Sequence, residues 1–192
     1  MKTVRPYDVV RHMEERQVTA PTTGSVRPIV YYGDPVLHQP CKPVTAFDDE
    51  LAELIADMFA SMYAVNGVGL AANQIGVNAR VFVLDCADAA GINKVAHVVN
   101  PTLLPTEPPR ELVTRSEGCL SVPGQYHELA RPKTATVTGV NMKGEPITIS
   151  GDGTLGQCLQ HEFDHLEGMV YVDRLPRKAR KRLLAEAGLS EK

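Results

Sequence analysis

The chain has 192 residues, 43% of them hydrophobic and 22% charged, and its 20 Lys and Arg against 23 Asp and Glu leave a formal charge of −3. These values exclude wholesale disorder and suit one domain with a full core, while the near-neutral balance argues against dedicated nucleic-acid binding. No apolar run reaches membrane-span length, and MKTVRPYDVVRHMEER lacks a secretory apolar segment, with Asp8, Glu14 and Glu15 also arguing against a transit peptide. A cytoplasmic protein with no membrane contact is expected.

Residues 1–27 read as an extension. Val9, Val10 and Met13 suit one face of a short helix, and the following QVTAPTTGSVRP is linker-like. A single domain is expected over residues 28–192. It opens with an extended segment at 28–32 and a turn at Gly33-Asp34-Pro35. The first helix is predicted over residues 47–64, with Thr45 and Asp48 as a capping box and Leu51, Leu54, Ile55, Met58 and Met62 at helical spacing. Up to about residue 150 the chain reads as mostly β, with Val-rich segments at 79–84, 95–100 and 134–141. A second helix is predicted over 154–166, stopped by Gly168, and a basic third over 178–187. Strands grouped between helices, without β-α-β alternation, imply an α+β fold: mixed or antiparallel sheets around a central helix, with further helices towards the N- and C-terminal ends.

The strongest chemical signal lies on the second helix, where His161-Glu162-Phe163-Asp164-His165 forms an H-E-x-x-H. Residues four apart differ by roughly 40° around a helix, so both imidazoles can reach one ion. With Leu155 set at zero, Leu166, Leu159 and Glu162 fall within roughly 40° of it, at about 100° per residue. Glu162 therefore points into the apolar arc, with Asp164 and Gln160 on the opposite side. A buried carboxylate is costly without a positive or hydrogen-bonding partner, and this helix carries no Lys or Arg. A divalent cation held by His161 and His165 meets that need.

Three plans compete for a third ligand. Zinc proteases of the longer pattern place a His six residues after the second one, but Tyr171 stands there. Another protease plan takes a Glu from a later helix, and Glu186 is the candidate. The third is Cys119, in Arg115-Ser116-Glu117-Gly118-Cys119-Leu120-Ser121, where Gly118 allows close backbone approach. The four cysteines, Cys41, Cys86, Cys119 and Cys158, lie far apart and form no C-x-x-C, so free thiols or a metal ligand are expected rather than disulfides. One thiolate and two imidazoles leave a fourth position open, as in catalytic rather than structural sites. The segment GVGLAANQIG at 67–76 superficially matches a dinucleotide fingerprint. It has a helix before it and a strand after it, the reverse of what that fingerprint needs. It reads instead as a glycine-rich strand edge with Gln74 as an amide donor.

GVGLAANQIG, EGCLS and QHEFDHLEG, in this order and spacing, resemble the three motifs of bacterial-type peptide deformylases. The resemblance runs from about residue 28 to the C-terminus and includes the GDPVL turn. It implies a metal-dependent hydrolase that takes the N-formyl group from formyl-methionine at the start of nascent chains. It further implies Cys119, His161 and His165 as ligands of one divalent ion, Fe²⁺ natively, with Zn²⁺ or Ni²⁺ as substitutes. Glu162 would be the general base, with the Gln74 amide and the Leu120 backbone N–H stabilising the oxyanion. The methionine side chain would sit near Val68, Tyr126, Cys158 and His161, with Gly69 and Gly118 also touching substrate. Rival readings are a small zinc protease using Glu186 and a non-catalytic binder of peptide N-termini. The six basic residues Arg174, Arg177, Lys178, Arg180, Lys181 and Arg182, followed by Leu183 and Leu184, suggest a positive patch. By resemblance, it could dock a monomeric enzyme on the phosphate-rich ribosome surface.

Overall fold

The computed structural model describes residues 20, 21, 23–106 and 111–190. The short helix expected around Val9, Val10 and Met13 lies outside the described residues.

Helix α1 spans Asp49–Ala64. Its cap is Asp48, whose side chain accepts from the Leu51 N–H at 3.2 Å, so the helix is capped three residues later than the box at Thr45 would have it. Five antiparallel strands make the main sheet: β1 (Gly69–Ala71), β2 (Val81–Ala87), β3 (Asn93–Leu103), β6 (Ala135–Val140) and β7 (Pro146–Gly151), in the order β1-β2-β3-β6-β7. Between β3 and β6 the chain leaves the sheet to form a separate antiparallel hairpin, β4 (Leu112–Cys119) and β5 (Val122–Pro132). Helix α2 spans Gly153–Leu166 and α3 spans Arg177–Glu186.

The apolar run of β2 explains the layering. Alternate side chains of a strand face opposite sides. Val81 and Val83 join Leu51, Ile55, Met58, Phe59 and Met62 of α1 in one core. Phe82 and Leu84 join Leu155, Leu159 and Leu166 of α2 in another. The sheet is therefore covered on both faces, and a strand buried on both sides needs a continuous apolar sequence. Each fully buried Leu or Phe contributes about 1.5–3 kcal/mol relative to exposure. A third core gathers Leu37, Val122, Val170, Tyr171, Val172, Leu183 and Leu184. Leu183 and Leu184 are thus buried in the fold rather than an apolar strip on a solvated helix.

The extended segment at 28–32 acts as a strap. The Val30 N–H donates to the Gln74 carbonyl and the Tyr32 N–H to the Ser121 carbonyl, both at 2.9 Å. Upstream, the Ser25 N–H and the Arg27 side chain bind the buried Asp57 carboxylate at 2.7 Å, and the Arg27 N–H donates to Ser61 Oγ at 2.8 Å. Downstream, the Tyr32 hydroxyl donates to Asp173 at 2.7 Å. The strap joins α1, the Gln74 turn and the C-terminal core.

Candidate metal centre

Leu155, Leu159 and Leu166 pull one face of α2 into the sheet core, and this burial carries Cys158, His161, Glu162 and His165 inward with it. Cys119 arrives from the last position of β4, at an irregularity in the hairpin register between Gly118 and Cys119. Its Sγ lies 3.1 Å from His165 Nε2, and one ligand atom from each of Cys119, His161 and His165 falls within 4.8 Å of the others. No other such group of His, Cys, Asp or Glu occurs among the described residues. Glu186 does not join it: at the end of α3 it is exposed and lies 3.7 Å from Arg182.

Two glycines make the convergence sterically feasible. A Cβ at Gly69 would stand 2.4 Å from Glu162 Oε1 and 2.6 Å from Cys158 Sγ, so only glycine lets β1 lie against the carboxyl. A Cβ at Gly118 would meet the Tyr126 ring at 2.5 Å. Gln74 sits in a short 3-10 helix, Ala72–Ile75. Its Oε1 accepts from the Ala71 N–H at 2.9 Å, which turns Nε2 towards Ser121 Oγ at 3.3 Å and Cys119 Sγ at 3.5 Å. Leu120 lies in the turn between β4 and β5, beside Cys119. Asn73, next to Gln74 in that 3-10 helix, donates to the His165 carbonyl at 2.6 Å.

The electrostatics suit a cation. His161 Nδ1 is 2.7 Å from Glu117 Oε1, which fixes the ring and leaves Nε2 for another partner. Burial opposes a proton on His161, yet its contacts with Cys119 and Glu117 outweigh that and hold its pKa well above the ordinary value. A cation between thiol and ring would satisfy the same partners. Burial, then the His161 charge, hold His165 well below its ordinary value, so it is a neutral imidazole ready to ligate. Burial pushes the Glu162 carboxyl up to about 7. Its Oε2 is buried without a partner, as is His165 Nδ1. The donor set of one sulfur and two ring nitrogens, with an orphaned carboxyl oxygen beside it, fits a divalent metal.

The site opens into a cleft of about 600 Å³. Its lining includes Val68, Gly69, Gln74, Gly118, Cys119, Leu120, Tyr126, Cys158, His161 and Glu162, so residues assigned to catalysis and to the substrate pocket meet in one cavity. Val68 and Tyr126 remain 48% and 68% exposed, which makes them rim rather than floor.

A buried ion network was missed from sequence. Asp164, on the side of α2 opposite the apolar arc, is only 3% exposed. It accepts Arg131 Nη1 at 3.0 Å and is clasped by Arg174. Arg131 in turn binds Glu117 through Nε and Nη2, at 2.7 and 2.6 Å. Burial would raise the Glu117 carboxyl, but Arg131 and His161 hold it far below the usual carboxylate range. Arg174 therefore belongs to this network: it stays at the surface, but its charge is met by a buried acid rather than free for a patch.

A thiol, two imidazoles and a buried acid around one cavity, on an antiparallel α+β frame, define a metal-dependent hydrolase. The family model described as polypeptide deformylase matches residues 26–181. Peptide deformylase 1 of Streptomyces avermitilis is 51% identical over 180 residues, 93% of this chain and 83% of that relative. Among solved structures, a peptide deformylase from Legionella pneumophila superposes with a TM-score of 0.77 at 39% identity, covering 85% of this chain and 94% of that one. The Ehrlichia chaffeensis peptide deformylase in complex with actinonin gives 0.78 at 34% identity, over 84% and 95%. The chain belongs to the polypeptide deformylase family.

Proposed function

We propose that this chain hydrolyses the N-formyl group of formyl-methionine at the start of nascent polypeptides, releasing formate. The observation that carries this reading is the orphaned, raised carboxyl of Glu162 beside the Cys119–His161–His165 group. Those three residues would hold one divalent ion, natively Fe²⁺, with Zn²⁺ or Ni²⁺ able to replace it. When bound, such an ion polarises an acyl oxygen and makes water more acidic.

The chain's own groups perform the rest. Glu162 takes a proton from the attacking water as its oxygen joins the formyl carbon. The Gln74 amide, already turned towards Cys119, and the Leu120 backbone N–H donate to the formyl oxygen as it gains charge. The carbon–nitrogen bond then breaks, and Glu162 returns its proton to the departing α-amine. Val68, Gly69, Gly118, Tyr126 and Cys158 would border the methionine side chain. That pocket should discriminate formyl-Met from formyl-Ala by roughly 1–3 kcal/mol in kcat/KM.

The catalytic domain is taken as residues 28–192, with 1–27 as an extension whose last residues dock on α1. No helix among the described residues is long and apolar enough to cross a membrane. We place the enzyme in the cytoplasm as a monomer, with α3 docking on the ribosome surface. The exposed Arg177, Lys178 and Lys181 carry that contact, since Arg180 lies 3.7 Å from Asp173 and Arg182 pairs with Glu186. Because Leu183 and Leu184 are core residues, reversing those three charges is a cleaner test than deleting α3. Ribosome binding by the triple Glu variant should fall, and the parent's binding should weaken steeply with salt.

The decisive experiment is formate release from a formyl-Met peptide by anaerobically metal-loaded protein. Release proportional to bound metal supports the reading. A fully loaded protein that releases none overturns it.

A further inference from the structure

Arg174 closes the 3-10 turn Tyr171–Arg174 just ahead of α3. Its Nε donates to Asp164 Oδ2 at 2.5 Å and its Nη2 to Asp164 Oδ1, so both oxygens are met. Asp164 Oδ2 also accepts Arg131 Nη1, Arg131 gives Nε and Nη2 to Glu117, and Glu117 Oε1 meets His161 Nδ1. Cations and carboxylates alternate along this path from the foot of α3 to an imidazole of the metal centre.

We propose that Arg174 is a positioning residue of the metal centre, acting through Asp164, Arg131 and Glu117 on the ring of His161. The inference rests on reading Cys119, His161 and His165 as metal ligands. Its logic lies in how Arg131 divides its fork. Arg131 is buried between two buried carboxylates. While Arg174 meets both oxygens of Asp164, Arg131 needs to give Asp164 one N–H and keeps a parallel pair for Glu117. Without Arg174, Asp164 keeps a single arginine N–H from Arg131, and a buried carboxylate so poorly met is strongly unfavourable. Arg131 then swings towards Asp164, Glu117 loses one of its bonds, and the hydrogen bond that orients His161 loosens. Outer partners of metal-bound histidines act in this way, by fixing tautomer and ring direction. Arg174 side-chain atoms are 39% exposed, so its replacement leaves no cavity in a core.

The test uses full-length protein loaded with Co²⁺. Its visible spectrum, the rate at which Co²⁺ passes to a chelator, and kcat and KM on a formyl-Met peptide are compared for the parent, Arg174→Met and Arg174→Lys. Arg174→Met should shift the cobalt bands, release metal about 10-fold faster, the low end for an outer partner, and lower kcat with KM unchanged. Arg174→Lys should recover part of each effect, because one ammonium cannot span both oxygens of Asp164. An Arg174→Met protein with the parent's spectrum and release rate overturns the inference, even if it melts earlier. Should that variant fail to fold, Arg174→Lys decides in the same way. Failure of the parent itself to take up Co²⁺ overturns the ligand reading, and this inference with it.

Discussion

Glu162 and Asp164 stand two residues apart on α2, are both 3% exposed, and have opposite surroundings. Asp164 is met by two guanidiniums, whereas Glu162 has an oxygen with no partner, and burial pushes its carboxyl up to about 7. A carboxylate fully paired in the interior is fixed and holds elements together. A carboxyl without a cation can gain and lose a proton near neutrality, as a general base requires. About half a helix turn thus separates a structural acid from the acid proposed as the base.

The largest expected effect on folding comes from Asp164→Asn. Two arginines would lose their shared counter-charge, and breaking a buried pair in this way costs about 3–5 kcal/mol. Urea unfolding of the metal-loaded protein measures it; a loss under 1 kcal/mol would show that the pairing is not what holds this side of α2. Next comes Cys119→Ser. Loss of the sulfur should cut metal affinity by at least ~10-fold, read by competition with a chelator, while parental affinity would remove Cys119 from the ligand set.

Gly69→Ala probes the free space around Glu162. A methyl placed 2.4 Å from Oε1 must displace that carboxyl, so kcat should fall while metal content holds. Parental kcat would show that the approach of β1 does not matter. His97 offers the most selective comparison. It lies buried in β3, accepts from the Met142 N–H, and burial lowers its pKa to about 4. The unfolded chain then binds the proton more readily, so stability is full above about pH 6.5 and falls as pH drops towards 4. The loss is of the order of 3 kcal/mol. Metal-free His97→Asn should show a shallower fall across that window, and an unchanged slope would assign the acid loss to other groups.

What was legible in the sequence depended on range. Helical spacing located α1 and α2 to within about two residues, and wheel arithmetic turned Glu162 inward because both concern one element at a time. Residues of the three motifs line one cavity, where Gly69 and Gly118 permit the close approaches that a larger residue would block. The wheel put Asp164 opposite the apolar arc, but a wheel gives direction and says nothing of what packs there. The partners of Asp164 come from β5 and from the turn before α3, 33 and 10 residues away. The pairing of Arg174 was hidden for the same reason: a run of like charge does not show that one member reaches back to a buried acid. The clasp of residues 25–27 on Asp57 and Ser61 was equally silent, since no local pattern marks a strap that crosses 30 or more residues to its anchor.

The unpaired carboxyl of Glu162 is proposed to perform the chemistry while Asp164 holds the helix. Glu162→Gln tests this most directly, with bound metal and formate release measured on the same sample beside the parent. The variant should keep equal metal content and an unfolding midpoint no lower than the parent's, with formate release reduced by ~10²–10⁴-fold. Formate release within a few-fold of the parent's, at equal metal content, would contradict that role of Glu162.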